Sequence, residues 1–302
     1  MTDMSVEICG VRFKNPVIAA SGTFGFGFEY EPFLKLSDLG GISVKGLTPA
    51  PREGNASPRI AEVSGGILNS VGLQNPGIDA FINDILPELK NKGTRIIANI
   101  AANTIEEYGL MAEKLRNQPV DMIELNISCP NVRQGGAQFG ARPESVEQVT
   151  RAVKQHCAAP LMVKLTPNCM DIAENAAAAE NGGADAISLI NTLTGMKIDL
   201  KTRKPLLANI TGGMSGPAVK PVALRMVYQA HKAVNIPIVG IGGIMTGEDA
   251  AEFMLCGASA VQVGTANLIE PRACLRIINE LKLYCERNSI ENVSALTGAL
   301  NT

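Results

Sequence analysis

The 302-residue sequence has no tryptophan, only two histidines, and just 4% aromatic residues. A histidine-based nucleophilic triad would therefore have to use His156 or His231. Both fall in stretches, "PESVEQVTRAVKQHC" and "PVALRMVYQAHKAV", whose apolar spacing predicts helices with one face outward, so neither is placed to serve as the usual base. An excess of either charge is also missing. With 27 basic and 29 acidic residues interspersed and a net charge of -2, the chain offers no electrostatic footprint for nucleic acid or an anionic membrane. No apolar run approaches the ~18 residues of a membrane span, and the opening "MTDMSVEICGVRFKNP" has no signal-type apolar core, so a soluble, unprocessed, cytoplasmic chain is expected. The seven cysteines, at 9, 129, 157, 169, 256, 274 and 285, include no Cys-x-x-Cys pair. That spacing argues against a zinc or iron-sulfur site on this chain, and the odd count argues against a disulfide framework. Neither "GFGFEY" nor "GIGGIM" completes a Gly-x-Gly-x-x-Gly, so no Rossmann dinucleotide site is expected. Linkers, internal repeats and heptads are absent too, and residues 1–302 are expected to form a single domain, since α/β barrels routinely use this much chain.

What is present is a rhythm of short apolar runs: "NPVIAAS" (15–21), "GGISVKG" (40–46), "RIIANIA" (95–101), "MIELNIS" (122–128), "PLMVKLT" (160–166), "AISLINT" (186–192), "PIVGIGG" (237–243) and "AVQVGTA" (260–266). Segments with apolar residues at three and four spacing separate most of them. Eight β-rich runs interleaved with helices predict a closed parallel (β/α)8 TIM barrel. Two segments fall outside the minimal repeat. "VEICGVRFKN" is expected to be an N-terminal hairpin plugging the barrel bottom, and 51–77, after the second strand, an extended Gly/Pro/Asn-rich loop of the functional kind.

Polar residues and glycines recur at the C-terminal ends of these runs, the face on which such barrels build their sites. Lys45 and Lys164 each stand among apolar and small residues. Either alone reads equally well as a structural ion pair or a stem reaching the barrel mouth; together they favour an electron-rich ligand or a Schiff-base role. Asn69, Asn99, Asn126 and Asn191 each offer a donor and an acceptor, which suits a planar heterocycle with alternating C=O and N–H groups, although a lone asparagine at a strand end is more often a turn residue. The glycines of "VGIGGI" and "VGTANL", ending the seventh and eighth runs, have the placement of a phosphate site, although glycine also serves any tight strand-to-helix turn. Cys129, in "ELNISCPNVRQGG", differs from the other cysteines because it follows a strand and opens a polar, glycine-rich loop. A thiol there is a candidate general base.

These motifs, with "PREGNASPRIAEVSGGILNSVGLQNPG", "VKLTPN", "INTLTG" and "DLKTRKPLLANITGGMSGPAVKPVAL", resemble the dihydroorotate dehydrogenase family over nearly the whole chain and in order. The resemblance is closest to the catalytic subunits of its NAD-linked, two-subunit class 1B. It implies a barrel that holds FMN and oxidises (S)-dihydroorotate to orotate in pyrimidine biosynthesis. Carried over by position, Cys129 is the base for C5 of the substrate while hydride passes from C6 to the flavin N5, and Lys164 stabilises the charge that reduction places near the flavin N1 and O2. Lys45, Asn69, Ser70, Val71, Gly72, Leu73, Asn126, Asn191 and Thr192 would hold the substrate. Ser21, Lys45, Gly46, Asn99, Asn126, Lys164, Ile190, Gly216, Gly242, Gly243, Gly264 and Thr265 would hold FMN, and no metal is implied. Cysteine rather than serine at 129, and the lack of an N-terminal extension, argue against the quinone-linked class. Electrons bound for NAD need a partner subunit with FAD and a [2Fe-2S] cluster, because the chain has neither dinucleotide motif nor clustered cysteines. A barrel homodimer within a heterotetramer is the implied assembly. The fumarate-linked class 1A, or another FMN-dependent dihydropyrimidine dehydrogenase, is the alternative.

Overall fold

The computed structural model describes residues 2–128 and 137–301. Its central strands are β1 (Val17–Ala19), β2 (Gly41–Ser43), β3 (Arg95–Ile100), β4 (Met122–Asn126), β5 (Leu161–Lys164), β6 (Ala186–Leu189), β7 (Ile238–Ile241) and β8 (Ala258–Val263). They pair in parallel in the order β6-β7-β8-β1-β2-β3-β4-β5, and β5 pairs back with β6, closing the barrel. Each strand coincides with one of the eight apolar runs. Strands β1, β2, β4, β5, β6 and β7 are buried along their whole length, which is why they read as continuous apolar segments instead of alternating ones.

Helices α1 (Ile105–Leu115), α2 (Pro143–Lys154), α3 (Ile172–Asn181), α4 (Lys220–Ala233), α5 (Gly247–Leu255) and α6 (Ala273–Arg287) lie outside the strands. In α2 the buried residues Val146, Val149, Thr150 and Val153 recur at three and four spacing, so a single stripe meets the barrel. Helix α3 starts where the Asp171 carboxylate accepts from the backbone N–H groups of Ala173 and Glu174. At the opposite end from the strand C-termini, Val6–Ile8 pairs antiparallel with Val11–Phe13, and Cys9 and Gly10 make the turn with φ of 53° and 77°. This hairpin caps the barrel bottom. Ile8 and Phe13 are fully buried, the Cys9 thiol donates to the Asp185 carbonyl just before β6 at 3.0 Å, and Arg95 Nε, opening β3, donates to the Arg12 carbonyl at 2.8 Å.

The C-terminal face carries an antiparallel sheet that no run in the sequence announces. The 51–77 excursion contributes Ile60–Val63 and Gly66–Asn69, and a second excursion after β6 contributes Leu193–Met196 and Thr211–Ser215. The order is Leu193–Met196, Thr211–Ser215, Gly66–Asn69, Ile60–Val63. Glycine permits the close approach: a Cβ on Gly66 would collide with the Ser215 carbonyl, and one on Gly213 with the Thr192 side chain. The excursion after β2 is thus a structured wall set over the barrel mouth.

Candidate active site

A cleft opens between the strand C-termini and this sheet. Ser21, Lys45 and Gly46 enter it after β1 and β2; Asn126 and Lys164 enter as the last residues of β4 and β5. Ile190, Asn191 and Thr192 follow from β6, Gly242 and Gly243 from β7, and Gly264 and Thr265 from β8. The first excursion adds Asn69, Val71, Gly72 and Leu73. Residues more than 200 positions apart therefore share one wall. Ser70, Asn99 and Gly216 do not line the cleft. Ser70 is buried behind it, its hydroxyl and carbonyl oxygens accepting from Asn55 Nδ2 at 3.1 and 3.0 Å. Gly216, at φ 111°, packs so tightly on the Gly66 backbone that a Cβ would approach it to 2.6 Å. Asn99 lies one layer deeper, and Cys129 lies outside the described residues.

The sequence reading missed an apolar part of the wall, Ile60, Ile67, Met214, Ile244, Met245 and Leu268. The first three reach the cleft only through the antiparallel sheet, whose pairing is not visible locally. It also missed Glu124, which is fully buried on β4. Glu124 Oε2 accepts from Ser43 Oγ at 2.7 Å and Asn99 Nδ2 at 2.5 Å; Oε1 accepts from Ser188 Oγ at 2.8 Å and Gln262 Nε2 at 2.7 Å. Ser43, Glu124, Ser188 and Gln262 come from β2, β4, β6 and β8. Four side chains from alternate strands form one interior layer, the standard packing unit of such barrels, here built from polar groups. A signal existed: each of these four runs carries a polar residue inside its apolar stretch, two or more positions before the polar residues at its C-terminal end.

Lys164, only 4% exposed, lies beside this layer, with Nζ 3.7 Å from Glu124 Oε2 and donating to Ser21 Oγ at 3.1 Å. Burial pushes the Glu124 carboxyl pKa up, but the Lys164 charge and the hydrogen bonds from Ser43, Gln262 and Ser188 outweigh it and hold the group below the usual carboxylate range. The network climbs from there to the cleft. Asn126 Nδ2 donates to Asn99 Oδ1 at 3.3 Å, Ser128 Oγ donates to Asn126 Oδ1 at 2.9 Å, and Asn191 Nδ2 donates to Ser128 Oγ at 2.8 Å. Tyr108, from α1, fixes the strand end by donating to the Asn126 carbonyl at 2.8 Å.

The side of the cleft formed by β7 and β8 is built on backbone. Gly242 and Gly243 have φ of 125° and 76°, and a Cβ on Gly243 would come within 2.8 Å of the Lys220 nitrogen. A Cβ on Gly264 would meet nothing closer than 3.7 Å, so that glycine leaves room in the cleft. Thr265 Oγ1 donates to Ser215 Oγ at 2.8 Å, tying β8 to the overlying sheet. Met245 is held by its N–H donating to Asp249 Oδ2 at 2.8 Å, and Asp249 also closes the capping box of α5 with Thr246. Lys220 pairs with Asp249 at 2.5 Å and with Glu252 at 2.8 Å.

The six cysteines among the described residues have thiols pushed up by burial, Cys9 to about 11 and Cys157 and Cys274 to about 12. No group of three His, Cys, Asp or Glu among the described residues could hold a metal ion, and none of their helices is long and apolar enough to cross a membrane.

A family model for dihydroorotate dehydrogenase matches residues 3–284. A protein of Alkaliphilus metalliredigens named dihydroorotate dehydrogenase B (NAD(+)), catalytic subunit, is 58% identical over 298 residues, covering 99% of both chains. Proteins of the same name from Geobacter sp. strain M21 and Caldicellulosiruptor saccharolyticus are 55% and 54% identical over 299 residues. These alignments cover 99% of this chain and, respectively, 98% and 99% of theirs.

Proposed function

Because the chain belongs to the dihydroorotate dehydrogenase family, we propose that it oxidises (S)-dihydroorotate to orotate in pyrimidine biosynthesis, using FMN held in the cleft. The observation that carries this reading is the pairing of two chemically different sides in one cleft. One side offers the Lys164 ammonium and the amides of Asn126 and Asn191; the other offers glycine-backed main chain at β7 and β8. That donor set fits the cofactor. A planar, electron-accepting ring system suits a cation and amides between apolar walls, and a phosphate suits backbone N–H groups and a threonine hydroxyl. Space left by the missing Cβ of Gly264 supports the same reading.

Ser21, Lys45, Gly46, Asn126, Lys164 and Ile190 would hold the ring system, with Asn99 supporting them from below. Gly242, Gly243, Gly264 and Thr265 would hold the phosphate, with Gly216 closing the backbone behind. When bound, FMN supplies a two-electron acceptor for the substrate hydride. Asn69, Asn126, Asn191, Thr192 and Lys45 would orient the dihydropyrimidine ring and its carboxylate, with Val71, Gly72 and Leu73 forming the adjoining wall and Ser70 supporting it from behind. Lys164, already fixed by Glu124 and Ser21, presents positive charge without reorganising, which is the economical way to stabilise developing negative charge. Cys129 acts as the base that takes the C5 proton of the substrate. The Cys129→Ala variant tests this assignment. It should retain FMN while its dihydroorotate-dependent flavin reduction slows by about 10²-fold or more, the usual scale of general base catalysis. Unchanged reduction kinetics would remove Cys129 from the mechanism.

NAD is the terminal acceptor in this proposal, reached through a partner subunit carrying FAD and a [2Fe-2S] cluster. Supporting it, the most similar relatives reported above are named NAD(+) catalytic subunits, and the sequence has no dinucleotide fingerprint of its own. A barrel homodimer within a cytoplasmic heterotetramer, each chain contributing residues 1–302 as one FMN-binding domain, completes the reading.

A further inference from the structure

The proposed chemistry uses Lys164, Asn126 and Asn191 but gives no part to the carboxylate sealed beneath them. A charge buried at the centre of a barrel is costly, and an apolar layer would pack there without that cost. Glu124 is nevertheless met at both oxygens by four donors, with an ammonium beside them. An ionised carboxylate only accepts. Asn99 must therefore turn its NH2 inward and its Oδ1 toward the cleft, which obliges Asn126 to donate to it. Asn126 Oδ1 is then left to accept from Ser128, whose hydroxyl in turn accepts from Asn191. The buried charge thus sets the orientation of Asn99 and agrees with that of Asn126, whose Oδ1 also accepts from the Ser128 N–H; Asn191 is oriented by its own backbone partners, donating to the Ser128 carbonyl and accepting from the Thr192 N–H.

We propose that Glu124 is a positioning residue: through Asn99, and together with the Ser128 N–H, it fixes how Asn126 presents its amide at the cleft, and through Lys164 it sets the net charge that the ligand meets. The second half rests on the reading that FMN occupies this cleft. Glu124 offsets part of the Lys164 charge, so the flavin potential is lower than an uncompensated lysine would make it.

Glu124→Gln separates the two effects. The glutamine Oε1 can accept from Ser43 and Asn99, preserving the amide chain, while its NH2 donates to Ser188 and to Gln262. The Gln262 Oε1 has no hydrogen-bond partner and is free to turn toward it. The variant loses the charge and keeps the shape. The flavin midpoint potential of Glu124→Gln, measured by dye equilibration, should shift upward, while orotate affinity, read from flavin spectral perturbation, stays at its unaltered value. An unshifted potential overturns the proposal, because a merely structural glutamate would leave it in place. Weakened orotate binding overturns the claim that amide orientation outlasts the charge. Should Glu124→Gln not fold, infrared spectra of the flavin-free Lys164→Gln variant decide the same coupling. A protonated-carboxyl band already present at a pH where the exposed carboxylates are still ionised, and missing from the unaltered chain at that pH, supports the pairing, and its absence overturns it. An unaltered chain that binds no flavin fails the proposed function, whereas the infrared measurement still tests Glu124 alone.

Discussion

At the scale of single residues, the barrel divides its polar groups into those that face the cleft and those that govern them. Asn99 belongs to the second kind, with its amide against Glu124 Oε2 at 2.5 Å. Asn99→Asp would set two carboxyls against one another, and one of them would keep its proton to a higher pH in the folded state than in the unfolded chain. The folded state then binds the extra proton, so the variant should lie nearest to the unaltered chain in stability at acid pH. It should fall further behind as pH rises, which denaturation midpoints across pH would reveal. Thiol chemistry gives a second residue-scale expectation. Burial raises all six described cysteines, leaving little thiolate at neutral pH. If Cys129 is the base, iodoacetamide near neutral pH should label it first, peptide mapping should locate the label there, and orotate should slow the labelling. Labelling spread evenly over the other cysteines would count against a distinctive thiol at 129.

At the scale of elements, the cleft depends on where helices begin. The Thr246 and Asp249 box starts α5 and also pins Met245 in the cleft wall, so Thr246→Ala should cost about 1 kcal/mol of stability, the usual worth of an N-cap. Asp249 is pushed up by burial but pulled further down by Lys220 and the Met245 and Thr246 N–H groups, leaving its carboxyl below its ordinary value. A depressed folded pKa contributes stability that is complete above the unfolded value and is lost as pH falls through the folded one. Asp249→Asn should therefore reduce stability at neutral pH and flatten the acid limb of the stability profile. Elements also explain what the sequence could and could not disclose. "MIELNIS" and its seven counterparts are legible because strands largely buried on both faces are mostly apolar along their length, a local property. The overlying sheet is not, because Gly66–Asn69 finds its partner in Thr211–Ser215, some 140 residues away, and its glycines serve close approach instead of pattern. Glu124 was hidden for a related reason: a lone acid in a strand acquires meaning only when Ser43, Ser188 and Gln262 converge on it from three other strands.

At the scale of the whole molecule, the fold brings strand ends from across the chain to one mouth, and one chemical proposal accounts for the lysine, the amides and the glycines gathered there. The sequence carries no Gly-x-Gly-x-x-Gly fingerprint, and on the proposed reading the purified barrel should oxidise dihydroorotate with a small dye acceptor but not with NAD. NAD reduction should appear only when a flavin and iron-sulfur partner is added, and efficient turnover of the lone chain with fumarate would assign it to the alternative class. The central claim, that FMN in this cleft takes electrons from dihydroorotate, is tested most directly by anaerobic titration of the FMN-loaded chain. Dihydroorotate should bleach the visible flavin band while orotate forms in equal amount; a chain that takes up no FMN, or whose bound flavin keeps its colour with excess dihydroorotate, would contradict the account.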